Sequence, residues 1–417
     1  MDIKKLVEGE EAALIGLRRY FHEHPELSQK EFETMDFIEE KLHGWGIPTV
    51  RVPHGGVLGT IDSGKPGWTV LMRADIDALP IEESPRNLVK EKVAVSRNPG
   101  VSHGCGHDGH MAMLLTAAKI LKEHTESWEG KVLLMFEEAE EMGERGADQL
   151  LRYLEKEKIP VNACYGTHVM YCLPAGKIAA MYGGVLAGGF FYRVRIHGKS
   201  GHGSRPDLAV SPIDCFTAFA SALQSYRMRK VSPENCLTCS FGMVQAGDTP
   251  NVIPDTLTFA GTARCFVNED GVAFRKAFWQ MLGHVCEDFG CTAEVVEDQY
   301  FPVTMNTKEC VDLARRVIPE AAGEGVLMDI QPWMASETFA LTESVYPGVF
   351  TFTGIQDEKT GSGANHHTPE FDIGEKGLAY GVTASLAYVL AMLKEKPDLS
   401  SFEKKPLEPM LRLVENK

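Results

Sequence analysis

The 417-residue sequence lacks any uninterrupted apolar run near the ~20 residues that a bilayer-spanning helix requires, so a membrane-embedded protein is not expected. It is also poor in positive charge: 42 Lys and Arg stand against 58 Asp and Glu, a formal net charge of -16. Nucleic acid and anionic membrane surfaces are bound largely through Lys and Arg, and neither is an expected partner here. Tight cysteine spacing is missing too. The ten cysteines are scattered, which suits a reducing compartment rather than a disulfide scaffold. Cys236 and Cys239 form a C-x-x-C, but in a strand-like stretch, where residues three apart face opposite sides; with every cysteine except Cys105, they read as small hydrophobes in the core. There is no internal repeat and no low-complexity segment. Met1 to Leu17 reads as a charged amphipathic helix without a cleavable-signal pattern, so the default expectation is a cytoplasmic protein. At 44% hydrophobic and 24% charged residues, the chain is globular and long enough for two domains.

What is present is concentrated chemistry. Residues 103 to 110 read H-G-C-G-H-D-G-H, just before the apolar run Met111 to Leu121. In an extended segment alternate side chains share a face, so His103, Cys105 and His107 can point together, and the glycines let backbone approach an ion. A thiolate also gains from a nearby helix N-terminus. This pattern reads as a metal site opening a helix, structural or catalytic.

Several apolar segments of strand length end in polar residues: Trp68 to Met72 before Asp75 and Asp77, Lys131 to Phe136 before Glu140 and Glu141, Ala163 to Gly166 before His168, and Val349 to Phe352. Alternating with helical stretches, they predict an α/β fold with a mostly parallel sheet covered on both faces. In such sheets ligands bind beyond the carboxyl ends of the strands, so these polar residues are expected on one rim. Adjacent Glu140 and Glu141 would repel unless a cation lay between them; one could then ligate and the other accept a proton. A solvated acidic turn is the alternative. His168 fits a ligand or a structural histidine equally well. His366-His367, far along the chain, suits a catalytic site drawn from distant segments, and Asp75 or Asp77 could orient a ligating imidazole.

The middle of the chain follows another pattern. Strands at Phe190 to His197, Cys236 to Gln245, Thr256 to Phe266 and Thr292 to Val296, with helices at Ser211 to Met228 and Gly271 to Phe289, give a β-α-β-β-α-β order. This is the split βαβ, ferredoxin-like pattern and predicts an inserted α+β domain over 186–299, within a discontinuous domain of 1–185 and 300–417. The charged tail from Lys394 carries no functional signal.

In order along the chain, R-A-D-I-D-A-L-P at 73 to 80, H-G-C-G-H-D-G-H, F-E-E-A-E-E at 136 to 141, G-T-H-V at 166 to 169, G-H-G-S-R-P at 201 to 206, N-V-I-P at 251 to 254, G-T-A-R at 261 to 264 and H-T-P-E-F at 367 to 371 resemble the metal-dependent amidohydrolases that include hippurate hydrolase, aminoacylases, N-acetyldiaminopimelate deacetylase and the indole-acetyl-amino-acid hydrolases. His22 to Leu27 is similar to the end of that family's first helix. The resemblance implies a zinc-peptidase-like catalytic domain with two divalent metal ions, zinc, manganese, cobalt or nickel, on Cys105, His107, Glu141, His168 and His367. Cys105 would bridge them and Glu140 would be the general base. It further implies that the inserted domain makes a homodimer, or a tetramer built from it, that His202 reaches a neighbouring active site to stabilise the oxyanion, and that Asn251 and Arg264 hold the substrate carboxylate. Glu137-Glu138 and Thr338 depart from the family pattern, which bears on the acyl group accepted.

The function expected is hydrolysis of N-acyl-L-amino acids to a carboxylate and a free amino acid. A dipeptidase or carboxypeptidase with the same site is the nearest rival, and a silent ligand-binding or assembly protein the rival of another class.

Overall fold

The computed structural model describes residues 1–142 and 146–415 and separates into two compact units. The first comprises 1–183, 305–331 and 341–407; the second comprises 184–304, 332–340 and 408–417.

A seven-stranded sheet organises the first unit, in the order Thr49–Val52, Gly56–Asp62, Lys131–Glu137, Thr69–Asp75, Ala163–Pro174, Gly348–Gln356, Ile178–Ala179. The four strands from Lys131–Glu137 to Gly348–Gln356 are parallel, and the edges are antiparallel. Every residue of Thr69–Asp75 is buried, as expected of a strand covered on both faces. The helix His107–Glu123 is apolar nearly all round and packs with Ile3–Glu23 and Lys376–Glu395.

Two expectations are corrected here. The helix Lys376–Glu395 is, by length and composition, apolar enough to cross a membrane, but 72% of its apolar window is buried inside the protein. Being a core helix contacted on several sides, it needs no polar face. Not all nine cysteines other than Cys105 are buried either: Cys172, near the end of the strand Ala163–Pro174, and Cys236, just before the strand Leu237–Gln245, are exposed, and Cys239 within that strand is half-buried.

The second unit carries a four-stranded antiparallel sheet in the order Leu237–Gln245, Thr256–Cys265, Gly188–His197, Thr292–Phe301. With helices Pro212–Lys230 and Asn268–Asp288, this is the β-α-β-β-α-β topology, each added strand lying beside or outside the first. Along Gly188–His197, Tyr192, Val194 and Ile196 are buried while Arg193 and Arg195 are exposed, so one sheet face is apolar. Phe278 fills that core, with ring centroids 4.6 Å from Tyr192, 5.0 Å from Phe219 and 5.5 Å from Phe190. Residues 332–340 join this unit through backbone bonds from Ala187 to Trp333 and Ala335, and the C-terminal segment through Arg275, which donates to the Leu413 carbonyl.

Candidate metal centre

The 103–110 loop ends at Gly106, whose φ of 94° is left-handed; a Cβ there would lie 2.4 Å from Val169. Only glycine lets the loop turn into the helix this close to the strand Ala163–Pro174. His107 thereby becomes the first helical residue, with Cys105 just outside it. His168 is not at a strand end, as the sequence suggested, but inside a twelve-residue strand that runs on to Pro174. It still reaches the rim, because its pairing with the strand Thr69–Asp75 stops at Met72 and Tyr165.

These segments bring the donors together. The Cys105 sulfur lies 3.4 Å from His168 Nε2 and 3.3 Å from His367 Nε2. Glu141 places Oε2 3.4 Å from His367 Nε2 and Oε1 3.7 Å from His107 Nε2. Donor atoms of Glu140, Glu141 and His107 all lie within 4.8 Å of one another, as do those of Cys105, His107 and His168. Neither His107 Nε2 nor Glu141 Oε1 has a hydrogen-bond partner among the described residues, although both are buried. Two such orphaned donors facing each other are what a missing cation would satisfy. A thiol, imidazoles and a carboxylate together suit zinc, and manganese, cobalt or nickel can occupy such a set when available.

The tautomers agree. His168 Nδ1 donates to the Val169 carbonyl at 2.6 Å, leaving the Nε2 lone pair toward Cys105. His107 Nδ1 faces the Asp77 carbonyl at 2.9 Å and its carboxylate at 3.2 Å, leaving Nε2 toward Glu141. Asp77 is thus the residue that orients His107. Asp75 Oδ1 instead meets His110 Nδ1 at 2.5 Å, while its Oδ2 accepts from Arg73 at 2.8 Å and lies 3.4 Å from His107 Nε2. His110 is fully engaged, for its Nε2 accepts the Val169 N–H at 2.9 Å. His103 is buried and is not among the donors that come together; burial holds its imidazole down to about 4. Of the last histidine pair, His366 packs among His168, Tyr171 and Phe371, while His367, at φ 62°, reaches the donors.

Electrostatics also call for a cation. Burial pushes the Cys105 thiol well above its ordinary range and Glu141 adds to this, so the thiolate needs positive charge beside it. Burial would raise the Asp75 carboxyl as well, but His107, His110 and Arg73 hold it well below the usual range.

Beneath the centre lies an ion network that sequence reasoning missed. Arg18 donates to Asp108 at 2.8 Å and Asp372 at 3.1 Å; His22 bridges Asp108 and Glu83 at 2.8 Å each; Lys92 binds Glu83 and the Pro369 carbonyl. It joins the loop of His107 to the loop of His367. The only sequence trace was the His22 to Leu27 motif. Glu137 and Glu138 are both buried, and Glu137 accepts from Arg73 at 2.7 Å, so the first of these departures serves strand packing.

The remaining candidates belong to the second unit. His202 lies exposed on a two-residue strand paired with Val252–Ile253. Its Nδ1 accepts from Ser204 N–H at 3.1 Å and hydroxyl at 2.8 Å, so the proton sits on Nε2. Asn251 is exposed, with its carbonyl accepting the Gly203 N–H. Arg264 is half-buried over the Phe191 ring and donates to Ser336 at 2.7 Å.

Residues 71–391 match the model of peptidase family M20/M25/M40. The chain belongs to that family. This M20 chain is 34% identical over 381 residues to the IAA-amino acid hydrolase ILR1-like 4 of Arabidopsis thaliana, covering 90% of this chain and 84% of the relative. It is 32% identical over 399 residues to thermostable carboxypeptidase 2 of Saccharolobus solfataricus, covering 94% and 97%. Among solved structures, a Bacillus subtilis dinuclear metal-binding peptidase of the M20 family superposes with a TM-score of 0.76 at 29% identity, covering 93% of this chain and 99% of that one.

Proposed function

We propose that this M20 enzyme hydrolyses the amide bond of N-acyl-L-amino acids, releasing a carboxylate and a free amino acid. The observation that carries the reading is the convergence of Cys105, His107, Glu141, His168 and His367 donors beside Glu140, in a family whose relatives include an amino-acid-conjugate hydrolase. Two divalent metal ions, zinc, manganese, cobalt or nickel, supply Lewis acidity and an acidified water when bound. Cys105, His107, His168, Glu141 and His367 would hold the two ions, with Cys105 as the ligand shared between them. Glu140 takes the proton from the attacking water and returns it to the leaving nitrogen. His202, with its proton on Nε2, donates to the developing oxyanion in a neighbouring subunit's site, which makes the active form a homodimer or a tetramer built from it. Asn251 and Arg264 take the substrate carboxylate, for which a guanidinium offers a two-pronged fork. The inserted 186–299 region is the dimerisation domain of this cytoplasmic enzyme.

Metal analysis of anaerobically purified protein, followed by amino-acid release from a library of N-acyl conjugates, tests this. Less than two metals per chain, or no release across the library, refutes it. A carboxypeptidase reading is favoured by the relatives of Saccharolobus solfataricus named thermostable carboxypeptidases. Faster cleavage of peptides with free amino termini than of N-acylated ones would select it.

A further inference from the structure

Glu31 is wholly buried at the start of the helix Phe32–Gly44. Its Oε1 accepts the Ala139 N–H at 2.8 Å, across 108 residues of chain, and its Oε2 has no hydrogen-bond partner among the described residues. Burial, reinforced by Asp77, lifts this carboxyl to about 8. A buried carboxyl placed against other acids is costly, and fold stability alone does not call for one.

What it touches explains it. Ala139 has φ 58°, a left-handed conformation that a residue with a Cβ adopts only at a cost. That turn lies between the end of the strand Lys131–Glu137 and Glu140. The amides on both sides of Glu140 are held by carboxyl groups: Ala139 by Glu31, and Glu141 by Asp77 Oδ2 at 2.9 Å. Ser28, three residues before Glu31, donates to the same Asp77 oxygen at 2.6 Å. The segment 28–31 therefore supports both braces of the turn that carries Glu140 and Glu141.

We propose that Glu31 is a positioning residue for Glu140 and Glu141: by holding the Ala139 amide it fixes the left-handed turn and so aims the general base and its neighbouring ligand. This rests on the roles given to those two glutamates above. Displacing a catalytic group by about 1 Å can cost on the order of 10²-fold in rate. Glu31→Gln keeps an acceptor oxygen at the same reach. Glu31→Ala removes it, and Glu31→Asp keeps the carboxyl group but falls a methylene short.

Two readouts test the proposal. In metal-free protein, hydrogen exchange at the Ala139 amide is expected to accelerate at least about tenfold in the Ala and Asp variants and to stay near wild type in Gln. At metal saturation, kcat is expected to fall about 10–100-fold in Ala and Asp with KM within about twofold, and Gln to recover to within about threefold. Asp serves if Ala does not fold. Unchanged exchange at Ala139, unchanged kcat in Ala or Asp, or a loss in Gln equal to that in Ala each overturn it. Glu140→Gln, run in parallel, separates the two levels. If that variant turns over normally, the base assignment has failed, whereas the Ala139 exchange pattern still reports whether Glu31 holds the turn.

Discussion

The centre around Cys105 and the surface around His202 differ in how they are held. Cys105, His107 and His168 are buried, and the ring nitrogens of His107 and His168 turned away from the centre are held by Asp77 and by the Val169 carbonyl. His202 and Asn251 stand exposed on or beside two-residue strands, and among the described residues the His202 ring is held by its neighbour Ser204. The first region is built to keep a charge constellation fixed without help. The second presents the His202 ring outward, as its proposed role in a neighbouring subunit's site requires.

That contrast is open to experiment. The largest effect is expected at the buried ligands: Cys105→Ala and His107→Ala lose metal and activity together, measured by elemental analysis beside turnover. A full metal complement in both variants would dissolve the distinction. Next, Glu140→Gln keeps most metal but loses ~10²–10⁴ in kcat, while Glu141→Gln chiefly weakens metal binding. Metal titrations of the two variants that overlay each other would show that the glutamates do not divide the work.

At the exposed region, His202→Ala is expected to keep both metals and lose roughly 10²–10³ in turnover, the scale of one lost oxyanion donor. Mixing His202→Ala with Glu140→Gln subunits then restores activity, because one site of each hybrid pairs an intact base with an intact partner histidine. Hybrids verified by mass that remain as inactive as the parents would return His202 to a loop role, and metal loss in His202→Ala would erase the contrast.

The smallest effect concerns the support beneath the buried centre. Burial opposes ionisation of Glu83, yet His22, Lys92 and the Ser96 N–H hold it down to about 2. Its stabilisation is therefore complete above the ordinary carboxylate range and fades as pH falls toward 2. Glu83→Gln is expected to cost about 1–3 kcal/mol near pH 7, measured by denaturant unfolding, with the deficit shrinking below about pH 4.5. A deficit independent of pH would mean that Glu83 acts by packing rather than charge.

Much of the buried region was legible in the sequence because its ligands are chemically unusual and clustered. H-G-C-G-H-D-G-H announces a metal site wherever it folds, and apolar runs ending in acids or histidines announce a parallel sheet with a polar rim. The β-α-β-β-α-β order of the second unit was legible for a similar reason, since period-2 and period-3.6 patterns are local properties of the chain. His202, Asn251 and Arg264 carry no such local signal. Only the resemblance of their segments to a family singled them out.

What the sequence left undecided was decided by packing between distant segments. It named Asp75 and Asp77 and put Asp75 forward as the orienter of a ligating histidine, and only the turn after the strand Thr69–Asp75 sets Asp77 against His107 and Asp75 against His110. It favoured His367 over His366 only through the family-like spacing to Pro369 and Phe371, and the left-handed backbone at His367 sends that ring to Cys105 while His366 enters the aromatic packing. Glu31 and Ala139 are 108 positions apart, and no pattern in either segment announces their contact. Residue type and spacing fix which groups can bind a metal. Which lone pair faces the centre, and which carboxyl holds the backbone behind it, depends on contacts between segments far apart in the chain, which exist only once the chain has folded.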